Sequence, residues 1–317
     1  MKITFNIDYH TNWGESVYIM GDIPALGGGD PKKAVRMTVE GDTAWSATVE
    51  TPATTEDFGY SYVVISEDGR VKREWGAPHT FARGGKSHTY QLYDRWQDQP
   101  WDKPYYASAF TDCICRREKR QARVLPKNNY ITLSVSAPMV APGWHVAVSG
   151  SSASLGHWNP AKALRMSDSA FPVWTVDIPA DDITPTEFKF LMVDTATGEV
   201  VGWEGGENRR FDVEPHKSEV TVISGMRFIN MMAPWKGAGV AIPVFSIRSE
   251  EDFGVGDFYD IMKMVDWAAM TGQKMIQILP INDTTMTGTW TDSYPYNANS
   301  TFALHPMYLR LGALGKL

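Results

Sequence analysis

The strongest constraint on the fold of this chain is that part of it is written twice. Residues 20–38, MGDIPALGGGDPKKAVRMT, align without a gap on residues 149–167, SGSSASLGHWNPAKALRMS, at an offset of 129. Eight of the 19 positions are identical: Gly21/Gly150, Leu26/Leu155, Gly27/Gly156, Pro31/Pro160, Lys33/Lys162, Ala34/Ala163, Arg36/Arg165 and Met37/Met166. The same offset carries Trp45 onto Trp174, and an offset of 128 carries Trp75 of KREWG onto Trp203 of VGWEG. A repeat of this kind implies a duplicated domain of about 100 residues, each copy with its own core.

Within each copy, short runs of period-2 alternation are separated by Gly, Pro, Asn and Asp turns. The first copy has KITFNIDYH, ESVYIMGD, AWSATVETP and FGYSYVVIS; the second has NYITLSVSA, WHVAVSG, VWTVDIP, EFKFLMVD and EVTVIS. The pattern predicts two antiparallel, immunoglobulin-like β-sandwiches, over 1–93 and 128–225, with Trp45 and Trp174 in their cores. The segment between them, 94–127, has prolines and clustered charges and no clean period, so it reads as a linker docked by Trp96, Trp101, Tyr105 and Phe110. In it, Cys113 and Cys115 lack the further Cys or His ligands a zinc site needs. They read as reduced thiols on a short strand, and neither metal nor cofactor is expected. The basic run from Arg116 to Arg123 reads as a solvated face.

A net charge of −7 offers phosphate backbones and anionic lipids little counterion release. The N-terminus, MKITFNIDYHTNWGESVYIM, has no secretory pattern, and no run of about 20 apolar residues occurs. The expectation is a cytoplasmic protein that binds neither nucleic acid nor membrane. The 12 tryptophans then become the informative residues. Trp158 lies in a Gly-His-Trp-Asn-Pro turn and Trp203 between glycines, where neither serves a core. Flat aromatic faces in solvent suit pyranose rings, whose axial C–H bonds form an apolar patch. Lys189, Glu204, Asn208 and Arg209 could hydrogen-bond the sugar hydroxyls.

LGHWNPAKAL, EFKF and WEGGENRRF, in that order over residues 129–224, resemble the starch-binding domains of carbohydrate-binding module family 20. The resemblance implies a principal starch site made of Trp158, Trp203, Lys189 and Asn208. The first copy resembles the same family but has Gly29 in place of the first tryptophan and Ser61 in place of the lysine, with Trp75 retained. TNWGESVYIMG resembles the family's segment for a second glucan site, with Trp13 as its aromatic.

From Trp235 the texture changes. Val240–Ile247 reads as a buried strand, Phe258–Met270 as a helix with Ile261, Val265 and Ala268 or Ala269 on its apolar face, and Lys274–Ile281 as a second strand. Such a β-α-β unit over 226–317 predicts a parallel sheet and the start of a (β/α)8 barrel or a doubly wound fold. SIRSEEDFGVGDF, IQILPI and SYPYNANSTFALHPMYL resemble the opening of glycoside hydrolase family 77, the 4-α-glucanotransferases. The resemblance implies that Tyr296 stacks on sugar beside the cleavage point, preceded by Asp292 and Ser293 in a loop after the second strand. Retaining transfer needs two carboxyls about 5–5.5 Å apart. Neither Asp283 nor Asp292 has a partner in a comparable motif, so no catalytic residue is assigned. The expectation is the N-terminal portion of a cytoplasmic glucanotransferase acting on starch, glycogen or maltodextrins, binding glucan without catalysing. A non-catalytic glucan-binding scaffold and an α-glucan hydrolase are the alternatives.

Overall fold

The computed structural model describes residues 1–84, 87–118, 120–123, 125, 130–179, 187–211, 219–232 and 235–315. They fall into two compact units, Met1–Ala233 and Pro234–Leu317. Both copies of the repeat lie in the first.

The first copy comprises β1 (Lys2–Asp8), β2 (Glu15–Gly21), β3 (Val35–Arg36), β4 (Thr38–Glu40), β5 (Ala44–Glu50), β6 (Phe58–Ser66), β7 (Val71–Arg73), β8 (His79–Phe81) and β9 (Thr89–Arg95). The second comprises β10 (Tyr130–Ser136), β11 (Trp144–Gly150), β12 (Leu164–Arg165), β13 (Ser167–Ala170), β14 (Val173–Pro179), β15 (Glu187–Asp194), β16 (Val200–Trp203), β17 (Arg209–Arg210) and β18 (Val220–Arg227). Strands β2, β3, β6, β7 and β8 form one five-stranded sheet, and β11, β12, β15, β16 and β17 form its counterpart. The remaining strands of both copies join in a single eight-stranded sheet, ordered β13, β14, β10, β18, β9, β1, β5, β4.

That shared sheet corrects the expectation of purely antiparallel sandwiches. β10, β18, β9 and β1 pair side by side in parallel, and the link between the copies is β18 on β9, Val220 opposite Tyr90 through Ile223 opposite Tyr93. Side chains alternate across a strand, while directly paired residues share a face. Tyr90, Leu92 and Val220 lie in the core of the first copy with Ile3 and Phe5. The intervening Thr221 and Ile223 pair with Ile131 and Leu133, which lie in the core of the second. The two cores therefore occupy opposite faces of one sheet, and its central strands are covered on both. Trp45 and Trp174 are buried, each in its own core.

The connecting segment is more firmly built in than its composition suggests. Trp96 packs against Tyr9 at a tilt of 44° and 4.4 Å between ring centres, Tyr105 meets Phe110 edge-on at 4.8 Å, and Tyr106 meets Trp75 edge-on at 5.3 Å. Trp101, expected to dock, is exposed. The basic run is not only a solvated face: Arg117 is paired in the interior with Asp168 and lies over the Trp174 ring, and Arg123 makes a two-pronged bond to Asp177. A guanidinium fork suits such bidentate pairing. Cys113 and Cys115 lie in or beside a short helical turn, Ala109–Ile114, instead of a strand; the first is exposed and the second buried.

The second unit contains β19 (Gly239–Ala241), α1 (Phe258–Met270) and β20 (Met275–Gln277), with the strands parallel. The helix matches its expected bounds. Asp257 caps its first turn and Asp260 bonds back to the Asp257 N–H, while Gly272, at φ +72°, follows its last turn. The strands are shorter than read. Pro243 has no N–H for a ladder, and the chain turns into a 3-10 helix at Val244–Ser246. On α1, Ala268 is buried as expected but Val265 is half exposed. Arg310 instead binds Asp257 and Asp260 together, an ion cluster that no motif announced.

Candidate functional site

In the second copy, the loop after β11 carries Trp158 out over the sheet that holds Trp203. Their ring centres are 6.4 Å apart and their planes tilted by 49°. Both indoles are half-buried, so each is supported from behind while presenting a face. Two tilted platforms at this spacing fit a curved apolar ligand better than a flat one. Lys189 on β15 donates to the Gly206 carbonyl at 2.7 Å, which fixes its ammonium beside Trp203 and leaves further N–H bonds to offer. Asn208 is exposed and donates to Glu187 at 3.2 Å, leaving its amide oxygen as an acceptor. Four of the expected residues thus converge on one surface.

Glu204 does not join them. It is buried, and its carboxylate accepts from the Phe190 N–H at 3.0 Å and from Arg209 at 2.9 and 2.8 Å. Both oxygens are committed inside the module, and Arg209 is committed with them, so the expectation that they meet sugar is corrected.

The first copy has the same backbone with other side chains. Glu74 accepts from the Tyr62 N–H at 2.9 Å as Glu204 does from Phe190, and it binds His79 where Glu204 binds Arg209. Gly76 and Gly206 both sit at positive φ two residues further on. Strand register agrees: Val63 faces Arg73 where Leu191 faces Trp203. The offset here is therefore 130, which corrects the sequence pairing of Trp75 with Trp203. Trp75 matches Gly205, and its ring packs against Tyr106. Gly29, Ser61, Arg73 and Pro78 stand where the second copy has Trp158, Lys189, Trp203 and Asn208. No element of the paired-indole site survives in the first copy.

Trp13, by contrast, is fully exposed on the turn between β1 and β2, beside Gly14 at φ +80°. Glu15 braces that turn by accepting from the Asn12 backbone and side chain at 2.9 and 3.0 Å. In the second unit, Tyr296 is exposed and lies 5.6 Å from Tyr294, centre to centre. Asp292 accepts from Thr287 and from the Gly288 N–H, bonds that hold its carboxyl below the usual range. Ser293 donates to the Trp290 carbonyl at 2.7 Å. Asp292 and Ser293 thus shape the loop that presents Tyr296. Among the described residues, no group of three or more His, Cys, Asp or Glu side chains could hold a metal ion, and no helix is long and apolar enough to cross a membrane.

Duplicated sandwich modules, one bearing a paired-indole platform with a lysine beside it, define a carbohydrate-binding protein. Residues 1–90 and 129–223 match the family model of the starch-binding domain of carbohydrate-binding module family 20, and the chain belongs to that family. Residues 242–316 match the model of glycoside hydrolase family 77, 4-alpha-glucanotransferase. The rice (Oryza sativa subsp. japonica) 4-alpha-glucanotransferase DPE2 is 34% identical over 99% of this chain and 35% of its own length. The 4-alpha-glucanotransferase of Chlamydia trachomatis is 43% identical over 24% of this chain and 14% of its own. The chain thus spans about a third or less of these relatives. Among solved structures, the family 20 module of a maltotetraose-forming amylase from Pseudomonas saccharophila is similar over 30% of this chain and 99% of its own, at 24% identity and a TM-score of 0.26.

Proposed function

We propose that the protein is a 4-alpha-glucanotransferase that moves α-1,4-glucan segments between maltodextrins or branched glucans such as starch and glycogen, with retention. In this reading the duplicated modules hold the glucan, and β19, α1 and β20 open a (β/α)8 catalytic barrel whose loop presents Tyr296 to sugar. The observation that carries it is the Trp158–Trp203 pair with Lys189, in a chain that continues into a family 77 segment. A tethered module raises the effective concentration of a large polymer at a catalytic domain without new contacts there. Asp257, Asp260 and Asp292 are committed to Arg310, to a helix N-terminus or to a loop, so residues 1–317 alone are expected to bind glucan and not to transfer it. The same reading places the protein in the cytoplasm.

Calorimetric titration of this chain with β-cyclodextrin and with maltoheptaose tests the binding half. Saturable binding that is lost in Trp158→Ala is the expected result. A wild-type chain that takes up neither ligand overturns the reading.

A further inference from the structure

The loop that carries Trp158 holds three successive residues in the left-handed region: Gly156 at φ +76°, His157 at +49° and Trp158 at +59°. The first copy has the same backbone, with Gly27 at +87°, Gly28 at +60° and Gly29 at +82°. The first glycine is required in both copies, because a Cβ at Gly27 or Gly156 would stand 2.8 Å from a lysine carbonyl oxygen. At Gly28 and Gly29 a Cβ would meet nothing within 4 Å. The second copy therefore holds side chains in a conformation that glycine adopts freely and other residues adopt at a cost. Strain of this kind persists only where neighbouring contacts fix it.

The contact that fixes it is a hydrogen bond made by the His157 ring. The His157 ring nitrogen Nδ1 lies 2.7 Å from the Ser151 carbonyl oxygen. A carbonyl only accepts, so Nδ1 carries the proton. This bond ties the middle of the left-handed turn back to the end of β11, while the His157 N–H donates to the Ser152 carbonyl at 3.1 Å. Histidine is also among the few residues that enter this region with moderate ease. The residue after this clamp is the indole that must stand 6.4 Å from Trp203.

We propose that His157 is the positioning residue of the glucan site: its Nδ1–H bond to Ser151 holds the strained turn that aims Trp158 at its partner indole. The inference rests on the reading of Trp158 and Trp203 as the glucan platform. Preorganisation of this kind improves affinity by reducing what must be ordered on binding.

The test uses His157→Ala, His157→Asn and Trp158→Ala in the full chain, titrated with β-cyclodextrin, alongside thermal unfolding and far-ultraviolet circular dichroism. Two tilted indoles this close couple their transitions into a couplet that reports their mutual geometry. His157→Ala is expected to weaken binding about five- to tenfold, to reduce the couplet, and to leave the unfolding midpoint nearly unchanged. Asn enters the left-handed region and carries an Nδ2–H donor the same number of bonds from Cα, so His157→Asn is expected to restore affinity and couplet together. Normal binding by His157→Ala, with loss in Trp158→Ala, overturns the inference and leaves the site intact. Weakened binding with an unchanged couplet and no restoration by Asn also overturns it, because His157 would then touch the glucan itself. Unchanged binding in Trp158→Ala overturns the reading of the site.

Discussion

The two copies share a backbone and divide the work of their surfaces. Around the buried glutamate the second copy uses Arg209 and the first uses His79; over the five-stranded sheet the second has Trp203 and the first Arg73; on the loop the second has His157 and Trp158 and the first only glycines. At the β1–β2 turn the asymmetry reverses, since Trp13 of the first copy is matched by Pro142 of the second. The shared backbone is thus kept while side chains on its surface, and one partner of the buried glutamate, differ.

The largest expected effect lies inside the frame. Glu204→Gln leaves Arg209 charged and largely buried with no means of neutralising itself, and is expected to lower stability by about 3 kcal/mol, read by denaturant unfolding. Glu74→Gln leaves His79, which can release its proton, so its loss should be well below that. Equal losses would show that the two networks are interchangeable. Next comes the site: Trp203→Ala is expected to weaken β-cyclodextrin binding about thirtyfold, while Trp75→Ala leaves the affinity unchanged, because its ring faces Tyr106. A large loss from Trp75→Ala would reinstate the pairing read from the sequence.

A smaller effect is expected from transplanting the site. Gly28→His, Gly29→Trp, Ser61→Lys and Arg73→Trp, placed together in a Trp158→Ala, Trp203→Ala background, should return measurable binding, within about tenfold of the native site. Open space at both glycines makes the exchange sterically possible. No recovery would mean that the copies differ in more than these side chains.

The smallest effect concerns pH. Burial depresses the His79 imidazole, but the carboxylates of Asp94 and Glu74 outweigh burial and raise it above the ordinary value of 6.5. A raised histidine contributes stability that is complete below pH 6.5 and lost as pH climbs through the folded-state value. Unfolding midpoints should therefore fall across that interval in the wild type and flatten in His79→Gln. Arg209 stays charged throughout, so the Glu204–Arg209 pair should add no slope there.

Much of this was legible in the sequence. The helix Phe258–Met270 follows from its apolar period, and the burial of Trp45 and Trp174 from strand alternation. The indole pair followed from exposure in a turn and between glycines. Trp75 misled because EWG and WEG look alike at a shift of two residues, and the second copy has an irregularity between Met192 and Val193 that local matching does not register. Glu204 misled because, besides Arg209, its partners are the Phe190 N–H and the Ile229 N–H, backbone groups with no sequence signature. The strands of the second unit are shorter than the sequence suggests because apolar runs do not reveal where pairing stops.

The pairing of β18 on β9 also sets an order of events. The core of the first copy includes Tyr130 and Val220, contributed by the second. A chain that emerges N-terminal end first has synthesised all nine strands of the first copy long before Val220 appears. Until then one edge of β9 and part of that core lack their cover, the kind of transiently open strand edge that favours misassociation. Neither copy is complete before β18 is made, and the duplication matures as one object.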